Sequence, residues 1–358
     1  SATAAAAALT APQAIVKQAL GGEAEPELTP AVRDAIVVLK QTLARLVDAE
    51  AACLAEAKPQ PGAFAQALAA HVGTAPATTG AEAPTGKPRF DVQLLQAGAL
   101  LSVVARFDVP CGEDALWLLY ERRAAQWRPA LQWTGAAYDR IDSAWGAFQY
   151  AVSPRDADGR WFVATAHVRP WCSSAWSVID FAIARPGAAA VKPQVLLAEN
   201  HGIWWGGDDL GRLSVDAAHA ELRFHGSSVD LDVHNREYVR RYAVNGTAVE
   251  RVAPVASSPR GFVDEWLVSP WAQAQRWSAA DTALRAAHAQ LQSLRKGGAT
   301  LIFGATRQCA DGAVQVALDV GSGKRVFRIA GEPARYRLTA VATREDPSCT
   351  RELAEPEP

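Results

Sequence analysis

From Phe90 onward, apolar and polar residues take turns along the chain with a period of two; up to residue 72, apolar residues recur every three or four positions. A period of two places successive side chains on opposite faces of extended backbone, and steps of three and four line one side of a helix. The first 72 residues therefore predict helix. Ala11 to Leu20 reads as a short helix stopped by Gly21-Gly22. Thr29 followed by Pro30 opens a second, with Thr as cap and Pro in the first turn, where its missing N–H costs nothing. That helix is expected to run to about Lys58, ahead of Pro59. Its stripe of Val32, Ile36, Leu39, Leu43 and Leu46 follows a heptad until the charged Glu50 breaks it. Ala49, Cys53 and Ala57 continue a weaker stripe, so Cys53 is expected to be buried and unreactive. The strong stripe needs a partner, either within the chain or through helix-mediated self-association. Pro61 to Val72 reads as the second arm of a helical hairpin.

Residues 73–88 carry almost no large apolar group and read as a linker. Beyond them, the strand candidates are Val92 to Phe107 (broken within), Leu116 to Glu121, Arg128 to Trp133, Phe148 to Val152 and Trp161 to Val168. The series continues with Ser177 to Ala184, Gln194 to Glu199, Glu221 to Phe224, Tyr238 to Val244 and Val249 to Val255. Asn245-Gly246 between two apolar runs signals a tight hairpin. Short strands separated by turn residues point to a sandwich, barrel or propeller rather than to alternating βαβ units. Strand, turn, strand and outer strand recur around residues 100–133, 152–199 and 220–255, and this pattern resembles the blades of β-propellers in general. Residues 259–298 return to helical spacing as an insert, and 299–345 read as a β meander with strands at Thr300 to Thr306, Ala313 to Leu318, Arg325 to Ile329 and Tyr336 to Thr343. Residues 346–358 form an acidic, loose tail. The expected fold is mainly β, with a helical N-terminal segment and a helical insert. Its β-rich part, residues 89–258, reads as an irregular β-propeller-like domain, with a twisted β-sandwich as the alternative.

Composition narrows the partners. Of 358 residues, 49% are hydrophobic and 21% charged, enough to bury a core. A net charge of −2, with Lys and Arg scattered, argues against a nucleic-acid partner. No apolar run reaches the roughly 18–20 residues a transmembrane helix needs. The start Ser1-Ala2-Thr3-Ala4 reads as the end left by a signal peptidase, so an extracytoplasmic (periplasmic or secreted) location is expected. In such a compartment Cys111, Cys172, Cys309 and Cys349 are expected to form disulfides, with Cys309–Cys349 and Cys111–Cys172 the favoured pairs.

Three segments concentrate chemistry. If Asp230, Asp232 and His234 alternate on a strand, they share one face and make a candidate metal site or acid–base pair. The run from Glu199 to Asp209 offers His201, Trp204, Trp205, Asp208 and Asp209 among glycines that allow close ligand approach. The segment His167 to Trp176 adds Trp171 and Trp176 as binding aromatics, and it places Ser173 and Ser174 near His167 without a nucleophile elbow. Trp266, Trp271 and Trp277 sit at spacings that suit packing, and Asp264 and Glu265 are expected to serve the early part of their helix. No P-loop, dinucleotide fingerprint, HExxH or EF-hand loop is present, and no cofactor is expected. Two readings follow. One is a non-enzymatic binding or scaffold module whose Trp-bearing loops meet carbohydrate or peptide. The other is an exported hydrolase acting on sugar or peptide through carboxylates or a metal.

Overall fold

The computed structural model describes residues 1–20, 28–54, 59–73, 87–109, 112–124, 126–135, 147–169, 176–187, 192–204, 211–230, 232–233, 236–321 and 323–354. The chain is mainly β, with 44% strand against 32% helix, in four antiparallel sheets that follow N-terminal helices. It divides into two compact units, residues 1–201 with 215–218, and residues 202–214 with 219–358.

The first unit opens with helices α1 (Ala2–Leu20), α2 (Pro30–Cys53) and α3 (Pro61–Val72). The first helix starts nine residues earlier than its apolar pattern suggests, because the run of Ala after Ser1 is the best helix former available. Thr29 caps α2, its side chain accepting from the Val32 N–H, and Pro30 occupies the first turn. The stripe of Val32, Ile36, Leu39, Leu43 and Leu46 is fully buried in an intrachain core. Glu50, where the heptad breaks, lies 2.7 Å from His71 Nε2 of α3. Cys53 is exposed rather than buried, because it stands two residues past Ala51, the last buried position of α2.

Those helices cover one face of a meander of β1 (Arg89–Leu95), β2 (Leu100–Val109), β3 (Gly112–Arg123) and β4 (Gln126–Thr134). The covered face carries Leu101, Val103, Phe107, Leu116, Leu118 and Tyr120. The opposite face, with Leu100, Val104, Trp117 and Leu119, packs on Phe148, Trp161, Val163 and Ala184 of a second meander. This second meander consists of β5 (Ala147–Val152), β6 (Val163–Val168), β7 (Trp176–Arg185) and β8 (Gln194–Trp204). Burial on both faces explains why LLSVVARFDV reads as a nearly continuous apolar run: neither set of alternate side chains meets water. At about 2 kcal/mol for each large apolar side chain removed from water, this double-sided layer dominates the unit's stability.

The second unit contains the meander β9 (Arg212–Val215), β10 (His219–Gly226), β11 (Arg236–Asn245) and β12 (Ala248–Arg251). Asn245 pairs with Ala248 across the two-residue loop Gly246-Thr247, and Gly246 takes φ +60°, the hairpin turn its sequence signals. Helices α4 (Pro259–Val268), α5 (Trp271–Ala274) and α6 (Thr282–Lys296) follow. The last sheet holds β13 (Leu301–Cys309), β14 (Val314–Val320), β15 (Gly323–Ala330), β16 (Arg337–Ala342) and β17 (Cys349–Glu352) in the order β16-β15-β14-β13-β17. The chain end is thus not loose throughout. Residues 349–352 pair with β13, and a disulfide joins Cys309 to Cys349. Trp266 and Trp277 are buried with Phe262, Leu284, Leu291, Phe327 and Leu338 in one core.

Asp264 and Glu265 do more than serve the start of a helix. Both are fully buried on α4 beneath β11 and β12. Glu265 accepts from Arg236 at 2.9 Å, Arg240 at 2.7 Å, Arg251 at 2.9 Å and Ser269 at 3.1 Å. Asp264 accepts from Arg236, Ser228 and the Val229 N–H. Burial pushes the Glu265 carboxyl up, but Arg251, Arg240 and Arg236 outweigh that and hold it well below the usual carboxylate range. Removing one partner of a buried charge set leaves the others uncompensated, at a cost of about 3–5 kcal/mol. Glu265→Gln should therefore lower the unfolding free energy by about that amount, whereas Glu237→Gln, whose contact with Arg223 is part-exposed, should cost under about 1 kcal/mol. Urea titration of the full chain measures both, and equal effects would show that the buried set carries no special weight.

Candidate functional site

The structure describes only some of the residues singled out from sequence. Trp176 opens β7 and Trp204 closes β8, both half-buried. His201 Nε2 lies 3.1 Å from Glu199 Oε2 on the same strand. Trp171, Trp205, Asp208, Asp209, His234, Cys111 and Cys172 lie outside the described residues. The segment around Asp230 is a turn, not a strand: the Val233 N–H closes back on the Asp230 carbonyl. Alternation therefore does not apply there, and Asp230 is buried while Asp232 is exposed. Both Asp230 carboxylate oxygens are committed to main chain, one to the Asp232 N–H at 3.1 Å and one to the Phe303 N–H at 2.7 Å. Among the described residues no three His, Cys, Asp or Glu side chains gather as metal ligands.

A concave site does form inside the first unit. A groove of about 490 Å³ is lined by Gln93, Leu95 and Gln96 on one wall and by Phe148, Gln149, Tyr150, Ala151 and Val152 on the other. Both walls are sheet borders, since β1 and β5 are terminal strands of their meanders. The pairing register fixes which groups face the groove. The Ser153 N–H donates to the Phe162 carbonyl, so the hydrogen-bonded pairs between β5 and β6 are Ala151 with Ala164, Gln149 with Ala166 and Ala147 with Val168. The main-chain N–H and C=O of Phe148, Tyr150 and Val152 consequently point away from β6, toward the groove. The Phe148 carbonyl already accepts from Arg106 at 3.1 Å, which confirms this direction.

No lining side chain is charged. Tyr150 stacks on Trp117 with ring centroids 4.4 Å apart, and its hydroxyl accepts from Ser102 Oγ at 2.9 Å. Ser102 Oγ in turn accepts from Trp117 Nε1 at 2.9 Å. Burial pushes the Tyr150 phenol above its ordinary pKa, so it stays protonated. Gln96 donates its amide to the Ser153 carbonyl at 2.7 Å, while its Oε1 is shielded from water and has no partner among the described residues. Gln96 (φ +48°) and Ala97 (φ +53°) both adopt left-handed backbone without being glycine. That conformation costs an L-residue roughly 1–2 kcal/mol, and strain of this kind collects at binding sites. Sequence reading sees only a break between two apolar runs at Gln96-Ala97-Gly98. The short FQYAV strand gives no sign that its border is left open.

A second cluster lies buried in the same unit. Lys40 Nζ of α2 is 2.5 Å from Asp114 Oδ2 of β3, and His167 Nε2 of β6 is 3.8 Å from Asp114 Oδ1. His167 is sealed between Trp133 and Phe148, and among the described residues neither ring nitrogen has a hydrogen-bond partner. Burial pulls its pKa down to about 4, against the pull of Asp114 and with help from Lys40. Asp180 and Arg169 act on it in opposite directions. The unfolded chain takes up this proton near pH 6.5 and the folded chain only near 4. Stability is therefore intact above about pH 6.5, falls as pH drops toward about 4, and loses on the order of 3 kcal/mol from this residue. Urea midpoints measured from neutral to about pH 4 should show a shallower acid decline in His167→Leu than in the parent chain, and parallel declines would refute the assignment.

No protein-family model matches this chain, and no curated protein matches it.

Proposed function

We propose that this chain is a non-enzymatic binding module whose groove between β1 and β5 takes an extended, uncharged peptide segment by strand addition to β5. One observation carries the reading. Among the described residues no strand pairs with the outer border of β5, and its register directs the main-chain N–H and C=O of Tyr150 and Val152 toward a groove lined by uncharged side chains. At about 3.3 Å per residue, the five lining residues of β5 match a ligand stretch of about five residues. The left-handed turn at Gln96 and Ala97 supports a preformed site. The hydrolase alternative draws less support, because Asp230 spends both its oxygens on main-chain N–H groups.

Extracytoplasmic placement belongs to the same proposal. It is supported by the Cys309–Cys349 disulfide, since oxidising compartments preserve such bonds. Among the described residues no helix is long and apolar enough to cross a membrane. The finer reading of the fold, blade-like meanders in an irregular propeller-like series, is supported by the sequential strand order β1-β2-β3-β4 and β5-β6-β7-β8 and by the face-to-face packing of these two sheets.

Strand addition has a specific signature. Only alternate residues of an added strand turn their N–H toward β5, so N-methylation should weaken binding at every second position and spare the others. The probes are N-acetylated, C-amidated heptapeptides of Thr, Val, Ser, Asn, Gln and Tyr, with calorimetry on the full chain as readout. Losses of about tenfold or more at alternate positions are expected. A flat N-methyl scan, or no binding by any of these peptides, would overturn the proposal.

A further inference from the structure

Resting on the extracytoplasmic placement proposed above, we infer that Asn245, at the tip of the β11–β12 hairpin, is an acceptor for an N-linked oligosaccharide. Asn245-Gly246-Thr247 matches the acceptor signature: an asparagine, any residue but proline, then a hydroxyl residue. The chain's other asparagines lack it, since Gly202 stands two positions after Asn200 and Glu237 two after Asn235. A tight turn is the plainer use for Asn-Gly, but the register removes that explanation for Asn245. Its main chain pairs with Ala248, so the loop proper is Gly246-Thr247, and Gly246 takes the positive φ, +60°, on which the turn depends. Asn245 stands one position before the loop, as the last residue of β11. Asparagine is a poor choice there on strand propensity alone.

The fold leaves the reacting groups unspent. Asn245 and Thr247 are both exposed. Among the described residues neither the Asn245 carboxamide nor the Thr247 hydroxyl takes part in a hydrogen bond. Beyond its chain neighbours, no atom lies within 4 Å of the point where a Gly246 side chain would begin, so the tip is open on that side. A sugar joined there displaces no packing and extends into water. In the transfer, Asn245 Nδ2 attacks the anomeric carbon of an N-acetylhexosamine carried on a polyisoprenyl diphosphate. The bond from that carbon to the diphosphate oxygen breaks, the polyisoprenyl diphosphate leaves with the electron pair, and the Nδ2 proton passes to water. The Thr247 hydroxyl is the group by which a transferase reads the site.

The test takes the full chain from its own source and treats it with peptide-N-glycosidase in heavy-oxygen water, which turns a glycan-bearing asparagine into labelled aspartate. Mass mapping should find the label at Asn245, and a control without glycosidase separates it from spontaneous deamidation at Asn-Gly. In a eukaryotic secretory host, Asn245→Gln and Thr247→Ala should abolish the glycan, whereas Thr247→Ser should keep it. Neither side chain is used by the fold, so all three variants should keep the urea midpoint of the deglycosylated parent. A secreted chain with Cys309–Cys349 closed and Asn245 unmodified overturns the inference and leaves the placement standing. A chain found in a reducing compartment, unmodified and with both thiols free, overturns both. A lower midpoint in Asn245→Gln shows that the fold does spend this side chain, and overturns the inference as well.

Discussion

A sheet buried on both faces has only its borders left to offer. In the first unit the meander β1–β4 is covered by helices on one side and by β5–β8 on the other, so its apolar residues are spent on packing. All eight of the groove's lining residues belong to, or directly follow, such a border, and four of them, Gln93, Gln96, Gln149 and Tyr150, carry an amide or a hydroxyl group. This constraint decides where main-chain groups can be left without a ladder partner. Tyr150 illustrates it: its ring belongs to the interior with Trp117, its hydroxyl bonds the buried Ser102, and its main chain lies on the border of β5.

The second unit meets the same demand for burial with different means. Between α4 and the β11–β12 ladder it places Arg236, Arg240 and Arg251 around Asp264 and Glu265. Guanidinium planes also lie over Tyr238 and Trp277. Desolvating five charges is expensive, and an apolar filling of equal volume can match or exceed such a set in stability. What the charges add is register: Glu265 must lie within reach of three arginines on two strands, and a one-residue slip of β12 against β11 would strand Arg251. The unit is thus held in place by a geometry that apolar side chains alone do not specify.

Much of the fold was legible because period and turn chemistry act locally. Most strands from Leu100 to Ala342 (β9 was not anticipated, and β12 stops at Arg251 rather than Val255), the Thr29 cap, the Asn245-Gly246 hairpin and the packing of Trp266 and Trp277 follow from spacings within a few residues. Where the reading failed, the cause was local too. The stripe through Cys53 outlasted the helix that carries it, and the alternation of Asp230 with Asp232 presumed a strand where a turn forms. The site was not legible, because Gln96 and Tyr150 are 54 positions apart and meet only through sheet stacking. Tryptophan by itself does not separate surface from core. Trp117, Trp161 and Trp266 are interior, and the large apolar ring that suits a binding surface suits a core equally well.

The turn at Gln96 shows why the groove has a stable shape. Two successive left-handed residues that are not glycine cost more than Asn-Gly would at the same bend. The conformation is held because Leu95 and Leu100 on either side are paired across the hairpin, and because Gln96 bonds Ser153 beyond the end of β5. The hydrogen bond ties the first border to the second, and the turn spends part of the sheet's packing energy on keeping the groove at fixed width. A site whose walls belong to separate sheets needs such a tie. Without it, each border would follow the twist of its own meander, and the width of the groove would drift.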